Sequence, residues 1–174
     1  PLPELGALVA TLLGDEGSDP ALRALAVTMP DLAYLAGLNP VIDADALFAA
    51  RQHVIRQVAS TAQAAFLARF EALQPAVGYA PTQAQIGPRL LRNVCLRYLC
   101  VGDAPVGLAL AERQFAAADN MTDSIAALAA VNDSASPVRA TLLARFEQRW
   151  RDEPLVLDKW FALQATSTRV DTLG

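Results

Sequence analysis

Breaks at nearly even intervals are the feature that most constrains this chain. Gly102-Asp103-Ala104-Pro105, Asp119-Asn120, Asn132 to Pro137 and Asp152-Glu153-Pro154 interrupt otherwise apolar, alanine-rich sequence. Each combines a helix stop with residues that open the next helix: a small polar cap, or proline at the first helical position. The spacing predicts helices near 83–100, 105–117, 121–131, 137–151 and 154–166, about one every 16 to 18 residues. Connections this short return each helix alongside the one before, and repeated hairpins stack into a bundle or a superhelical array. Nowhere do β-branched and aromatic residues alternate between turn signals as a strand requires. Alanine fills 35 of 174 positions, favouring helix and letting helices approach closely.

The first half carries the same punctuation more sparsely. Asp19-Pro20 reads as a cap with proline behind it, opening a helix to about Met29. From Asp43 to about Leu73, Leu47, Val54, Ile55, Val58, Ala62, Phe66 and Phe70 keep helical spacing, with polar residues mostly on the other side. This predicts one helix about 45 Å long. Gly78 to Pro81 reads as a connection, and a subdivision of the chain, if there is one, falls near 78–82. The expected fold is all-α: stacked antiparallel helix hairpins forming a superhelical, α-solenoid-like array over one domain, 1–174. No repeat consensus is legible, so the repetition is one of structure.

Composition removes several classes of function. Hydrophobic residues make up 53% and charged residues 18%, too apolar for a disordered chain. The net charge of −4, with thirteen arginines and the single lysine Lys159, argues against a nucleic-acid partner. No apolar run reaches the roughly 18 residues of a membrane span, and Pro1-Leu2-Pro3-Glu4 does not open a signal peptide. Cys95 and Cys100, about 140° apart on one helix, are too far round it to bridge each other and read as buried thiols in a reducing compartment, with a disulfide as the minor reading. The chain opens without methionine, which predicts a piece of something longer.

Chemistry-bearing constellations are missing from the sequence. His53 is the only histidine, and it falls toward the polar side of its helix, so no two-histidine zinc site or H-E-x-x-H motif can be built. A Cys–His nucleophile pair would need His53 to meet Cys95 or Cys100, and nothing in the pattern brings them together. No hydrolase elbow, dinucleotide fingerprint or P-loop occurs. Arg89 and Arg92 share a helix face and Arg97 lies about 140° further round, an arrangement suited to ion pairs with neighbouring helices more than to anion binding. Asp119, Asp123, Asp133, Glu147, Asp152, Glu153 and Asp158 match no calcium loop and read mostly as caps and first-turn acids. Asn120 with Asp123 three residues on resembles a capping box. Phe146 with Trp150, and Trp160 with Val156 and Leu163, are spaced for core packing.

Three stretches in the second half resemble a known family. Arg92-Asn93-Val94-Cys95-Leu96-Arg97-Tyr98-Leu99 is similar to a signature of bacterial-type aminopeptidase N, of the gluzincin zinc metallopeptidases. Gln114-Phe115 followed by Ala118-Asp119-Asn120-Met121-Thr122-Asp123 and an alanine-rich helix resembles the same family, as does Leu155-Val156-Leu157-Asp158-Lys159-Trp160-Phe161-Ala162-Leu163-Gln164-Ala165-Thr166-Ser167. Asp19-Pro20-Ala21-Leu22 and Met29-Pro30 are similar more weakly, so the resemblance covers about residues 19 to 167.

The resemblance implies a C-terminal helical domain that encloses the active-site cavity of an enzyme removing N-terminal residues from peptides. Zinc is then expected in the catalytic domain of the full-length enzyme and none in this chain. The family's H-E-x-x-H and G-A-M-E-N motifs are absent here, so no catalytic, cofactor-binding or metal-binding residue carries over. Implied partners are the catalytic domain of the same polypeptide and peptide substrates, without nucleic acid or membrane, in the cytoplasm. The resemblance also implies further helices after Ser167. Arg92, Arg97, Asp123, Asp158 and Lys159 are expected to lock helices together. The alternative is a free-standing helical-repeat module that binds a protein on its concave face.

Overall fold

The computed structural model describes residues 2–172; Pro1, Leu173 and Gly174, included in the expected domain, lie outside the described residues. Among the described residues there are ten α-helices and no strand. They are α1 (Leu2–Gly14), α2 (Pro20–Val27), α3 (Leu32–Gly37), α4 (Ala44–Thr61), α5 (Gln63–Ala72), α6 (Gln83–Leu99), α7 (Pro105–Ala117), α8 (Met121–Ala130), α9 (Pro137–Trp150) and α10 (Pro154–Ala165). The all-helical, solenoid-like array expected from the punctuation is what forms.

Local chemistry sets the starts of these helices. Asp19, Asp31, Asp43, Asn120 and Ser136 each accept a hydrogen bond from a backbone N–H of the first turn they precede. Pro20, Pro105, Pro137 and Pro154 stand at first helical positions, where their missing N–H has no partner to lose.

The expected long helix of 43–73 is two helices. Ala62 departs from helical geometry at φ −104°, and the Thr61 hydroxyl donates back to the Gln57 carbonyl at 2.7 Å, a local bond that bends helices. The bend lets α4 and α5 both lie against α1, where Gly6 is pressed onto the Thr61 side chain so closely that any Cβ would overlap it. Apolar periodicity runs through the break because Val58, Ala62, Phe66 and Phe70 all face the same core. α1 and the six-residue α3 are additions to the sequence reading. No capping residue precedes α1 to announce it, and α3 is too short to show periodicity.

α6 is the spine. It packs against α2, α5, α7 and α8, and every residue from Leu91 to Leu96 is buried. A helix apolar on a single stripe could not occupy that position. Phe66 stacks on Tyr98 with ring centroids 4.4 Å apart, and the Tyr98 hydroxyl donates to Val27 O at 2.7 Å, tying α5, α6 and the end of α2 together. The array continues as α7 on α6, α8 on α7 and α6, α9 on α7 and α8, and α10 on α9. One apolar cluster runs through it from Val9 to Phe146.

Gly107 marks the tightest crossing. A Cβ there would overlap the Leu99 carbonyl and lie 2.7 Å from Cys100 N, so α7 rests directly on the backbone at the end of α6. Backbone cannot swing aside as a side-chain tip can. Gly107→Ala is expected to cost about 3 kcal/mol. Gly14→Ala, at the open end of α1 with nothing within 4 Å, is expected to stabilise by about 0.5 kcal/mol. Denaturant midpoints of the two variants measure the contrast.

Candidate functional site

Two of the three sequence motifs meet around one carboxylate. Asn120 caps α8, its Oδ1 accepting from Asp123 N at 2.9 Å. Asp123 then departs from a capping box, because its carboxylate does not return to the backbone N–H of Asn120. One oxygen takes the Arg92 guanidinium at 2.7 Å and the Asn120 amide at 2.9 Å, and the other takes Asn93 Nδ2 at 3.2 Å. Gln114 of α7 completes the joint, donating to Asn93 Oδ1 at 2.9 Å and to the Asp123 carbonyl at 3.2 Å. Three helices are thereby bound through Arg92, Asn93, Gln114 and Asp123, all buried, with the half-buried Asn120 at the edge.

Burial by itself would push the Asp123 carboxyl up. The Asn120 amide, the Arg92 guanidinium and Asn93 outweigh it and hold the group below the ordinary value of 3.8. Asp119 next door is exposed and also lowered, by the Asn120 side chain and by the Tyr79 N–H that it accepts at 2.9 Å.

Beside the joint lies a cleft of about 530 Å³, walled by the 74–79 segment, the start of α6 and the α7–α8 turn. Pro88 stands inside α6 in that wall, so the Ala84 carbonyl four residues back receives no helical hydrogen bond. Arg89 lies over the Tyr79 ring, 4.6 Å from its centroid, donates to Gln85 Oε1 at 2.8 Å and comes within 3.8 Å of Asp123. Arg92 Nε and Gln114 Oε1 are buried without a protein partner.

The third motif forms a separate joint. Trp160 Nε1 donates to Leu143 O at 3.0 Å, docking α10 on α9. Asn132, buried after α8, donates to Leu163 O at 2.6 Å, and its own carbonyl accepts from Arg139 and Ser167. Asp133 Oδ1 receives Ser167 Oγ and Thr168 N. The motif thus docks on α9 through Trp160 and on the α8–α9 turn through the Leu163 carbonyl and the Ser167 hydroxyl.

The charged residues expected to lock helices divide into two groups. Arg92 and Asp123 do so. Arg97, Asp158 and Lys159 are exposed, and among the described residues none of them forms an ion pair. Position on the helix explains it: Arg97 lies on the face of α6 opposite Arg92, while Trp160 and Leu163 take the inner face of α10 and leave Asp158 and Lys159 outside. Asn93 and Gln114 belong to the sequence motifs but are not among the residues expected to lock helices. Both are polar residues at core-facing positions of apolar helices, and that mismatch was their available signal.

His53 is exposed on α4. Cys95 and Cys100 are buried free thiols, each pushed up to about 12 by burial. Among the described residues no group of three histidine, cysteine, aspartate or glutamate side chains could hold a metal ion.

An array of short hairpins stacked on a buried spine defines the chain as an α-helical repeat domain. The model of the DUF3458_C domain of unknown function, described as ARM repeats, matches residues 3–174, and the chain belongs to that family. It is 37% identical to aminopeptidase N of Escherichia coli strain K12 over 162 residues, 93% of this chain and 18% of that protein. It is also 37% identical to aminopeptidase N of Haemophilus influenzae over 164 residues (94% and 18%), and 34% identical to that of Caulobacter vibrioides over 161 residues (92% and 19%). The chain therefore spans about a fifth of the relatives it matches, and corresponds to their C-terminal helical domain. In fold it is similar to Legionella pneumophila aminopeptidase A in complex with aspartic acid, with a TM-score of 0.81 at 24% identity over 96% of this chain and 21% of that one.

Because Asp123 is held below its ordinary value when folded, its contribution is complete above about pH 4 and is lost as pH falls through that lowered value. Asp123→Asn leaves Arg92 buried without its charge partner and is expected to cost about 3–5 kcal/mol at pH 7. The gap between variant and parent should narrow at pH 3, as denaturant midpoints at the two pH values will register.

Proposed function

We propose that this chain acts as the non-catalytic C-terminal helical domain of a zinc-dependent aminopeptidase, in which it encloses the cavity where N-terminal residues are removed from peptides and limits what enters. The observation that carries this reading is the near-complete match of the chain to one part of several aminopeptidases N, combined with what the three sequence motifs do here. Arg92, Asn93, Gln114, Asn120 and Asp123 hold helices to one another, and Trp160 docks a further helix, so these residues serve shape. A wall must keep its shape to exclude bulk water and oversized substrates, and buried polar joints fix helix positions in a way apolar contact alone does not.

The donor set does not fit zinc. His53 stands alone on the outside of α4, and both cysteines are buried with strongly raised pKa values. The metal and its ligands belong to a catalytic domain in the same polypeptide, which is this chain's partner along with the peptides it admits. Two free buried thiols suit a reducing compartment and support a cytoplasmic location. Among the described residues no helix is long and apolar enough to cross a membrane, and the net charge of −4 gives no electrostatic grip on nucleic acid.

The full-length polypeptide is expected to hydrolyse an alanyl chromogenic substrate in a chelator-sensitive manner, and this chain alone to show none. Removing the domain should raise the rate on long peptides relative to dipeptides. Chelator-sensitive hydrolysis by the chain itself, or a parent reading frame without H-E-x-x-H upstream, would refute the proposal and favour a free-standing binding module.

A further inference from the structure

A second cleft, of about 320 Å³, opens where α4, α6 and the end of α8 meet; it borders the first motif at Val94, Arg97 and Tyr98 and the α8–α9 turn at Asp133, and lies apart from the Asp123 joint. Met29, Leu32, Phe48 and Ile55 supply an apolar wall, and none of the four is fully buried by the protein's own packing. Its charged residues are Arg51, Arg97 and Asp133, a local charge of +1 in a chain of net −4. None of these three is in an ion pair, and Arg97 and Asp133 are exposed.

Each group has a defined residual capacity. Arg51 spends Nε on Pro30 O at 2.6 Å and one terminal nitrogen on Met29 O at 3.4 Å, leaving the other free. Arg97 makes no hydrogen bond to a neighbouring side chain, and its fork of donors matches a carboxylate. Asp133 accepts Ser167 Oγ and Thr168 N through Oδ1 alone, which leaves Oδ2 for a cation. Arg169 close by is paired with Asp171 at 2.7 Å; its charge also reaches Asp133, but the two form no ion pair and Oδ2 keeps its open side.

We propose that this cleft binds a free apolar α-amino acid, with Arg97 and Arg51 taking its carboxylate, Asp133 its ammonium group, and the Met29–Leu32–Phe48–Ile55 wall its side chain. The charge pattern selects the ligand. A purely apolar molecule leaves Arg97 and Asp133 unused, and an inorganic anion leaves the wall and Asp133 unused. A zwitterion with an apolar side chain engages all three. The volume, at the low end of the range for ligand pockets, suits a ligand of that size.

The two methionines provide a direct probe, since Met29 lines the cleft and Met121 lies at the start of α8 outside it. In the chain labelled with ¹³C at the methionine methyls, L-leucine is expected to shift the Met29 signal saturably, with a dissociation constant near about 1 mM, while Met121 stays fixed. N-acetyl-L-leucine and L-leucinamide, each lacking one charge, should bind about tenfold more weakly. Arg97→Gln and Asp133→Asn should weaken L-leucine by a similar factor, and their retained Met121 signal reports that the fold persists. A Met29 signal that does not move, equal shifts at both methionines, undiminished binding of either capped ligand, or unchanged affinity in either variant would each overturn the proposal.

Discussion

A carboxylate carried into a protein interior loses its hydration and has to recover it from fixed donors, and Asp123 recovers it from two different helices. Asn120 of its own cap, and Arg92 and Asn93 of α6, surround it, while Gln114 of α7 binds both its carbonyl and Asn93. These bonds have directions, so they specify how far along α6 the α8 helix starts and how α7 is rotated between them. Apolar contact would accept a sliding fit of one turn; the Asp123 joint would not. The placement of α8 in turn fixes the turn after it, where Asn132 donates to the Leu163 carbonyl of α10, and so a single charged group at the start of α8 orients the array as far as α10.

The remainder of the fold depends on how α6 is made. Its burial on nearly all sides demands a sequence that is neither amphipathic nor uniformly apolar. Leu91, Val94, Cys95, Leu96 and Leu99 face neighbouring helices, and Arg92 and Asn93 face the joint. Gly107 lets α7 close on the backbone at the end of that spine, and the Thr61 break lets α4 and α5 fold round α1 on its far side. Phe66, Phe70 and Phe146, all fully buried, fill the spaces between successive layers. A stack of this kind suits a role as a wall, because apolar contact along the array is joined by hydrogen bonds that cross between α1 and α2, α2 and α6, α6 and α8, and α9 and α10.

What the sequence made legible was whatever local chemistry announces. Pro105, Asn120, Pro137 and Pro154 mark helix starts by properties of their own backbone or side chain, and those helices begin at or next to the positions read from them. The break at Ala62 was hidden because core-facing periodicity continues across it, and the reason for the break, a back-bonded Thr61 and a glycine on another helix, is tertiary. Of the site, the residue types were visible and the partnerships were not: spacing placed Arg89 and Arg92 on one face, but only the fold supplied Asp123 from 31 residues beyond Arg92. Spacing also set Arg97 about 140° round from Arg92, and that rotation is what leaves it in solvent instead of in a helix-locking pair.

A double-mutant cycle between Arg92 and Asp123 tests most directly whether this charged joint organises the array. With Arg92→Leu, Asp123→Leu and the double variant compared by denaturant unfolding, each single change is expected to be severe, because it strands the other charge in the interior. The double change should cost less than their sum by about 2–3 kcal/mol. Strict additivity would mean that the two side chains do not support each other, and the central role assigned to Asp123 would be contradicted.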